Sequence, residues 1–190
     1  MNPKTERPEG KSVDDYRKAA GPLAPYAVIW GVQSAVRAYL QYIWIWPYAE
    51  WIFPATAIPA LLVSLYVWAQ DARRPPHRAE TGLPFSSVWL ILLFAVAAGS
   101  LLLLRMINAI NPLFIPVMAA LALSTGYVAA AKWLGKPLIY LGLWLFALTA
   151  VVSLRYLGYA SAVLGFFGGL SLIALGWMIG RWRRSSGLSR

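Results

Sequence analysis

The sequence predicts an all-helical polytopic membrane protein in which six transmembrane helices form three hairpins and both termini are cytoplasmic. Three observations predict this fold. Of the 190 residues, 59% are hydrophobic and 13% are charged, and the mean hydropathy is +0.59, whereas about 25% of the residues in a soluble domain are charged. The apolar residues form six long runs, and most basic residues lie in alternate connections between these runs.

Each apolar run is long enough, or nearly so, to cross a bilayer, which takes roughly 20 helical residues. The runs cover residues 22–46, 48–69, 85–104, 112–134, 137–154 and 156–180. Six spans of roughly 20 residues would use about 120 residues and leave about 70 for tails and loops, which is too few for a separate soluble domain. The fifth run is the shortest, and only a weak turn signal separates it from the sixth. A five-span alternative with a re-entrant segment at this place therefore stays open.

The chain before the first run is predicted to be a cytoplasmic tail. Ser12 to Asp15 has the spacing of a capping box, so a short amphipathic helix is expected over residues 13–20, ending at Gly21 and Pro22. The first run carries polar side chains and lacks a small-residue cleavage site, so it is not a cleavable signal peptide. We divide the chain into an N-terminal tail (1–21), a six-helix membrane domain (22–180) and a basic cytoplasmic C-terminal tail (181–190).

The distribution of basic residues predicts the orientation. Fourteen of the seventeen basic residues fall on one side of the membrane when the connections alternate, and the positive-inside rule assigns that side to the cytoplasm. The other three are Arg37, Arg105 and Arg155, at the far ends of the first, third and fifth spans. The formal charge of +10 is therefore explained by basic residues in the predicted cytoplasmic segments. We expect no nucleic-acid partner, because no folded basic surface remains to bind one.

The arginine-rich loop over residues 71–82 is predicted to bind anionic lipid headgroups, so membrane lipids are the first expected partners. A docking motif for another protein is the alternative. The loop contains His77, the only histidine of the chain. A single exposed histidine without neighbouring ligands is more often solvated than catalytic.

The first span carries the most informative polar residues. Gln33, Arg37 and Gln41 recur at i, i+4 and i+8, which predicts one polar stripe along the outer half of this helix, widened by Ser34. An ionisable residue inside a membrane span is by default a functional hypothesis, because its burial in hydrocarbon is costly. These residues are therefore predicted to bind a ligand.

Arg105 and Arg155 are expected at the same outer level as Arg37. Glu50 is the only acidic residue on that side, so at most one of the three arginines finds a carboxylate there. The three arginines predict an outward-facing pocket for an anionic group, because a guanidinium matches phosphate and carboxylate oxygens. The alternative is that their long side chains extend to lipid headgroups without binding a specific ligand.

Two features of the first hairpin have structural interpretations. Tyrosines and tryptophans crowd its outer turn, which is typical of the aromatic belt at a membrane interface, with a wall of a ligand pocket as the alternative. Pro54 and Pro59 are expected to bend the second span. The aromatic residues are Tyr39, Tyr42, Trp44, Trp46, Tyr48 and Trp51.

The last span has a face of small residues that permits close helix packing. Its glycines are spaced by 7, 4, 7 and 4 residues and contain two GxxxG patterns. Packing within the chain is the commoner use of such a face, and a homodimer through it is the alternative. The glycines are Gly158, Gly165, Gly169, Gly176 and Gly180.

The sequence contains no pattern that indicates catalysis. It has no cysteine and one histidine, which removes the ligands and nucleophiles of most metal and thiol chemistry. Glu50 lies at the outer end of the second run, and no Asp or Glu lies further inside a span to serve a proton relay. We expect no enzyme activity, metal or cofactor. The first hypothesis is a non-catalytic protein that binds an anionic or lipid-like ligand on the outer side, as a sensor, regulator or accessory subunit. The alternative is a small homo-oligomeric transporter or channel with a polar path along the first helix.

The run Val28-Ile29-Trp30-Gly31-Val32, which follows a short amphipathic segment, resembles a family of small six-span bacterial inner-membrane proteins. Members have no assigned role and often accompany transcriptional regulators. The first hairpin and the arginine-rich loop carry the resemblance, which covers about a third of the chain. The resemblance implies a location in the bacterial inner membrane and supplies no catalytic residues.

Overall fold

The computed structural model describes residues 16–17, 20–43, 49–73 and 112–187. These ranges are almost entirely helical and contain no strand, so the predicted all-helical class is confirmed for them. The predicted third span, Arg105 and His77 lie outside the described residues. The described helices are α1 (Ala24–Ile43), α2 (Ala49–Ala72), α3 (Ile115–Leu134), α4 (Pro137–Arg155) and α5 (Ala160–Gly187).

Four of the described helices are long and apolar enough to cross a membrane. They correspond to the second, fourth, fifth and sixth apolar runs, and their spans are Trp51–Gln70, Ile115–Leu134, Pro137–Arg155 and Leu157–Trp182. Helix α1 has a sufficient length of 20 residues, but it is less apolar because Gln33, Arg37 and Gln41 lie within it. The polar side chains that make α1 a candidate for function thus also lower its hydropathy, by which a membrane span is identified.

The helix ends follow from local backbone chemistry. Tight 3-10 turns at Gly21–Leu23, Pro112–Phe114 and Leu157–Tyr159 lead directly into α1, α3 and α5. The first of these turns contains Gly21 and Pro22, where the sequence predicts the end of the short N-terminal helix. Helix α2 runs through both Pro54 and Pro59 without ending.

Helix α4 is separate from α5, as the six-run interpretation requires. It is a continuous helix of 19 residues, or about 28 Å at 1.5 Å per residue. It ends at Arg155. The next residue, Tyr156, has φ −133°, and its N–H donates to the carbonyl oxygen of Val152 at 2.9 Å. A helix of this length fits a complete crossing better than a re-entrant segment.

Helix α5 lies at the centre of the described bundle and packs against α1, α3 and α4. Its contact with α1 is the most extensive, and the two helices are antiparallel because Gly165 lies beside Ala38 while Gly176 lies beside Val28. Helix α2 packs on α1, and α3 packs on α4. The core joins α3, α4 and α5 through Val117, Ala120, Val152, Ala160 and Leu164.

The outer surface of the described bundle is apolar. Large side chains such as Leu154, Trp51 and Tyr140 are 81%, 72% and 71% exposed. A soluble domain rarely exposes such an extensive apolar surface. Lipid contact explains this exposure, in agreement with an integral membrane protein.

The two ends of the described bundle differ in charge. At one end, the Nε atom of Arg17 donates to the carbonyl oxygen of Leu134 at 3.1 Å, and its guanidinium lies 4.6 Å from the centroid of the Trp182 ring. We call this the basic end, because four more basic residues lie at or beside the helix ends that approach it: Arg73, Lys132, Lys136 and Arg181. The opposite, or far, end holds the C-terminus of α1, the N-termini of α2, α3 and α5, and Arg155.

Candidate functional site

Arg37 lines a cavity of about 210 Å³ between α1, α3 and α5, towards the far end of the bundle. Helix α1 contributes its polar residues, α3 contributes its apolar first turns, and α5 contributes a serine and small residues. The lining comprises Ser34, Arg37, Ala38, Gln41, Ile115, Pro116, Ala119, Ala120, Leu123, Ser161, Leu164, Gly165, Gly168 and Leu172. We call this space the Arg37 cavity.

Two hydroxyl groups in the cavity wall are already engaged as donors. The Oγ atom of Ser34 donates to the carbonyl oxygen of Gly165 at 3.0 Å, and the Oγ atom of Ser161 donates to Oε1 of Gln41 at 3.0 Å. The second bond uses the acceptor atom of the Gln41 amide and leaves its NH₂ group as a donor. The positive charge of the Arg37 guanidinium and the NH₂ group of Gln41 therefore favour an anionic ligand.

Phe53 of α2 positions the Arg37 side chain. The guanidinium carbon lies 4.8 Å from the centroid of the Phe53 ring, within the range of a cation–π interaction. Arg37 is half-buried, and its Nε atom is buried. Contact with a neighbouring helix restricts the rotamers of this long side chain, which lowers the entropic cost of binding a ligand.

Gln33 does not line the Arg37 cavity. Its Nε2 atom donates to Oγ1 of Thr56 on α2 at 3.2 Å, and Gln33 lines a second cavity between α1 and α2. Helical geometry explains this separation, because residues four apart are rotated by about 40° and two such steps give about 80°. The predicted stripe is therefore divided: Gln33 faces α2, Gln41 faces α5, and Arg37 lies between them.

The other predicted site residues are not brought to this cavity in the described part of the chain. Arg155 is exposed at the C-terminus of α4 and is not part of the cavity wall. Glu50 lies in the first turn of α2, where the structure describes its backbone alone. Arg105 lies outside the described residues. Of the two predicted arginines that the structure describes, Arg37 lines this cavity and Arg155 does not.

Sequence reasoning missed two contributors to this cavity. The sequence predicts no role for Ser161, and it predicts Gly165 only as a packing residue. The small-residue face of the last span could have indicated this contribution. A helix that packs closely against α1 brings its own polar atoms near Arg37. Recognising the contact required the antiparallel register of α1 and α5, which the sequence alone does not provide.

The glycine face of α5 packs against α1 within the chain. A Cβ added to Gly169 would lie 2.5 Å from the carbonyl oxygen of Gly31, and one added to Gly176 would lie 2.7 Å from that of Ala24. Space around Gly158 and Gly180 is open. Packing within the chain, the commoner of the two predicted uses, therefore accounts for the middle of this face. A homodimer through it stays a prediction.

The predicted aromatic belt is described in part. Tyr39, Tyr42 and Trp51 are exposed on the outside of the bundle near the far end, which fits side chains at a membrane interface. None of them lines the Arg37 cavity. Trp44, Trp46 and Tyr48 lie outside the described residues.

Comparison of this chain with protein-family models, with curated proteins and with solved structures finds no match. The resemblance to six-span bacterial inner-membrane proteins therefore stays a prediction. Among the described residues, no three His, Cys, Asp or Glu side chains lie close enough together to hold a metal ion. The candidate site is thus defined by the geometry of the Arg37 cavity.

Proposed function

We propose that this protein is a non-catalytic integral membrane protein that binds an anionic or lipid-like ligand in the Arg37 cavity, as a sensor, regulator or accessory subunit. One observation carries the proposal: Arg37 lines a cavity together with Gln41 and Ser161. The positive charge of the Arg37 guanidinium and the NH₂ group of Gln41, whose oxygen accepts from Ser161, both favour an anionic ligand.

The size of the cavity restricts the ligand. Pockets for complete small molecules measure about 300–1,000 Å³, whereas the Arg37 cavity measures about 210 Å³. It suits a phosphate or carboxylate group, and the rest of a larger ligand would extend into the surrounding lipid. A lipid headgroup and a free small anion share this chemistry.

The proposed topology has six spans, with both termini in the cytoplasm of a bacterial inner membrane. The basic end is then cytoplasmic by the positive-inside rule, and the Arg37 cavity lies towards the outer side. Arg73 at the end of α2 and Pro112 before α3 lie at opposite ends of the bundle. A further crossing between them, at the predicted third span, satisfies this connectivity.

The direct test is ligand binding to the purified full-length protein in a non-ionic detergent. Short-chain phosphatidylglycerol, short-chain phosphatidylcholine and inorganic phosphate are compared by native mass spectrometry and by tryptophan fluorescence. We expect phosphatidylglycerol to bind, and we expect Arg37→Gln to weaken its binding about tenfold or more, because a hydrogen bond to a charged group contributes about 1.5–3 kcal/mol. Arg155→Gln is the matched control and should retain wild-type affinity.

The comparison of ligands identifies the source of the anion. Binding of inorganic phosphate with equal Arg37 dependence would identify a free anion, whereas binding of phosphatidylglycerol alone would identify a lipid. Equal loss of affinity in the Arg37 and Arg155 variants would contradict a specific site. It would leave non-specific attraction between arginines and anionic headgroups as the explanation.

Transport is the alternative that the same protein can test. A single polar path along the first helix requires Gln33, Arg37 and Gln41 to line one channel, but Gln33 lies in a different cavity from the other two. Anion flux into proteoliposomes is measured for wild type and Arg37→Gln. Binding without flux favours the proposed function, and flux that depends on Arg37 favours a transporter.

A further inference from the structure

A second cavity lies between α1 and α2, on another face of α1 from the Arg37 cavity. Its volume is about 450 Å³, which is within the range of about 300–1,000 Å³ for small-molecule pockets. We call it the α1–α2 groove. Its lining is mainly aliphatic and consists of Val28, Ile29, Val32, Gln33, Val36, Ala55, Thr56, Pro59, Ala60 and Val63.

The α1–α2 groove contains a small group of neutral polar atoms. Gln33 donates to Oγ1 of Thr56 at 3.2 Å, and Thr56 donates to the carbonyl oxygen of Ile52 at 2.9 Å. This leaves the Gln33 amide with its oxygen and one N–H. Pro59 has no N–H, so the carbonyl oxygen of Ala55 lacks the usual helical donor four residues later.

The charge and polarity of the groove restrict its occupant. None of the described residues that line it is charged, and an ionised group is costly near the middle of a span without a partner. Gln33 is the tenth of the 20 residues of α1, so its amide lies near the middle of the helix. A hydroxyl group can donate to the free amide or carbonyl oxygen and also accept from the amide N–H.

We propose that the α1–α2 groove binds a neutral apolar molecule that carries a hydroxyl group, such as a long-chain or isoprenoid alcohol. The chain packs against the valines of α1 and α2, and the hydroxyl donates a hydrogen bond to the Gln33 amide oxygen. This site is independent of the anionic ligand, because Gln33 and Arg37 lie in separate cavities.

The test uses the full-length protein in phosphatidylcholine vesicles with a diazirine-bearing long-chain alcohol as the probe. Mass spectrometry of the photolabelled protein should locate the label on α1 or α2 residues of the groove. Val32→Trp, which fills the groove, should remove this label. Val151→Trp is the matched control, because Val151 is an exposed valine on α4 outside the groove, and it should leave the label unchanged.

Competition with unlabelled molecules tests the role of the hydroxyl group. Dodecanol should compete about fivefold better than its methyl ether, since one net hydrogen bond is worth about 1 kcal/mol, and better than dodecanoate. Farnesol in place of dodecanol distinguishes an isoprenoid chain from an alkyl chain. In Gln33→Leu, the preference for alcohol over ether should fall to about one.

Three results would overturn this proposal. The first is label spread over the whole lipid-facing surface. The second is an alcohol preference that persists in Gln33→Leu. The third is a wild-type groove that takes no label, which would indicate that another part of this chain or a second copy occupies it. The result is independent of phosphatidylglycerol binding, so failure here leaves the Arg37 proposal untouched.

Discussion

At the residue scale, the Arg37 cavity depends on a few polar atoms whose partners are defined. Ser34 and Ser161 direct their hydroxyl hydrogens to Gly165 and Gln41, and Phe53 packs against the Arg37 guanidinium. The sequence indicated that Gln33, Arg37 and Gln41 were unusual for a membrane span. It could not indicate their division between two cavities, because this division depends on where α2 and α5 contact α1.

A buried hydrogen bond between α3 and α5 gives a test of packing. Tyr127 and Ser171 are 3% and 2% exposed, and their oxygens are 2.9 Å apart. The Ser171 hydroxyl donates to the carbonyl oxygen of Gly168 at 2.7 Å, so Tyr127 is the donor to Ser171. Removing the Ser171 hydroxyl and removing the Tyr127 hydroxyl should therefore lower the free energy of unfolding by different amounts.

We expect Ser171→Ala to lower the free energy of unfolding by about 1–3 kcal/mol, because it leaves the Tyr127 hydroxyl buried without its acceptor. Tyr127→Phe should cost about 0.5–1 kcal/mol, because Ser171 keeps its bond to Gly168. Unfolding in mixed micelles with increasing SDS measures both values. A larger loss for Tyr127→Phe than for Ser171→Ala would contradict the assigned direction of the bond.

Gly169 tests the close contact between α1 and α5. An added Cβ would lie 2.5 Å from the carbonyl oxygen of Gly31 and 2.7 Å from the backbone nitrogen of Ala35. Backbone atoms cannot move away without shifting the helix, so we expect Gly169→Ala to lower the free energy of unfolding by about 1–3 kcal/mol. The same SDS titration measures this loss.

Gly180→Ala is the matched control on the same helix, because open space surrounds Gly180. It should be neutral or stabilising by up to about 1 kcal/mol, since alanine has the higher helix propensity. Equal effects at the two positions would contradict the described packing of α5 on α1.

At the element scale, the apolar runs predicted the described helices well. The bounds of α2, α3 and α4 agree with the predicted runs to within about three residues, and proline or glycine at the helix ends explains this agreement. The packing partners of the helices were less predictable. The sequence left open whether the glycine face of α5 contacts α1 or a second copy, because both contacts require the same small residues.

The turn between α3 and α4 joins this hairpin to the N-terminal segment. Gly135 has φ +107°, and a Cβ added to it would lie 2.9 Å from a guanidinium nitrogen of Arg17. The Arg17 side chain also donates to the carbonyl oxygen of Leu134. A positive charge at the C-terminus of α3 is favourable to the helix dipole.

We expect Gly135→Ala to lower the free energy of unfolding by about 1–3 kcal/mol, because its backbone conformation is strained for a residue with a side chain. Part of this loss should disappear in the Arg17→Ala background, where the steric conflict is absent. A double-mutant cycle by SDS titration measures the coupling. An additive cycle would show that Arg17 does not contact this turn in solution.

At the scale of the whole molecule, the amino-acid composition alone predicts an integral membrane protein. The described helices and their apolar surface agree with a membrane protein, whereas the number of spans and the orientation stay proposals. The asymmetry of charge between the two ends is the feature that carries the orientation. It is visible in the sequence only after the residues have been assigned to alternate ends.

Cysteine labelling tests the orientation without interference, because the chain has no cysteine of its own. We expect Tyr156→Cys, at the exposed far end, to react with a membrane-impermeant maleimide in intact cells. Lys136→Cys, at the basic end, should react only after the membrane is permeabilised. The reverse pattern would contradict the proposed topology, and labelling of both positions in intact cells would contradict a spanning α4.

The central claim is that Arg37 contacts an anionic group, and solid-state NMR measures this contact most directly. The protein is labelled with ¹⁵N in its arginine side chains and reconstituted with phosphatidylglycerol, and ¹⁵N–³¹P dipolar dephasing reports guanidinium groups beside phosphate. The arginines of the loop over residues 71–82 also contribute to the dephasing, so we predict that the dephased signal falls by the share of one arginine in Arg37→Gln and is retained in Arg155→Gln. A dephased signal that persists unchanged in Arg37→Gln would contradict the claim.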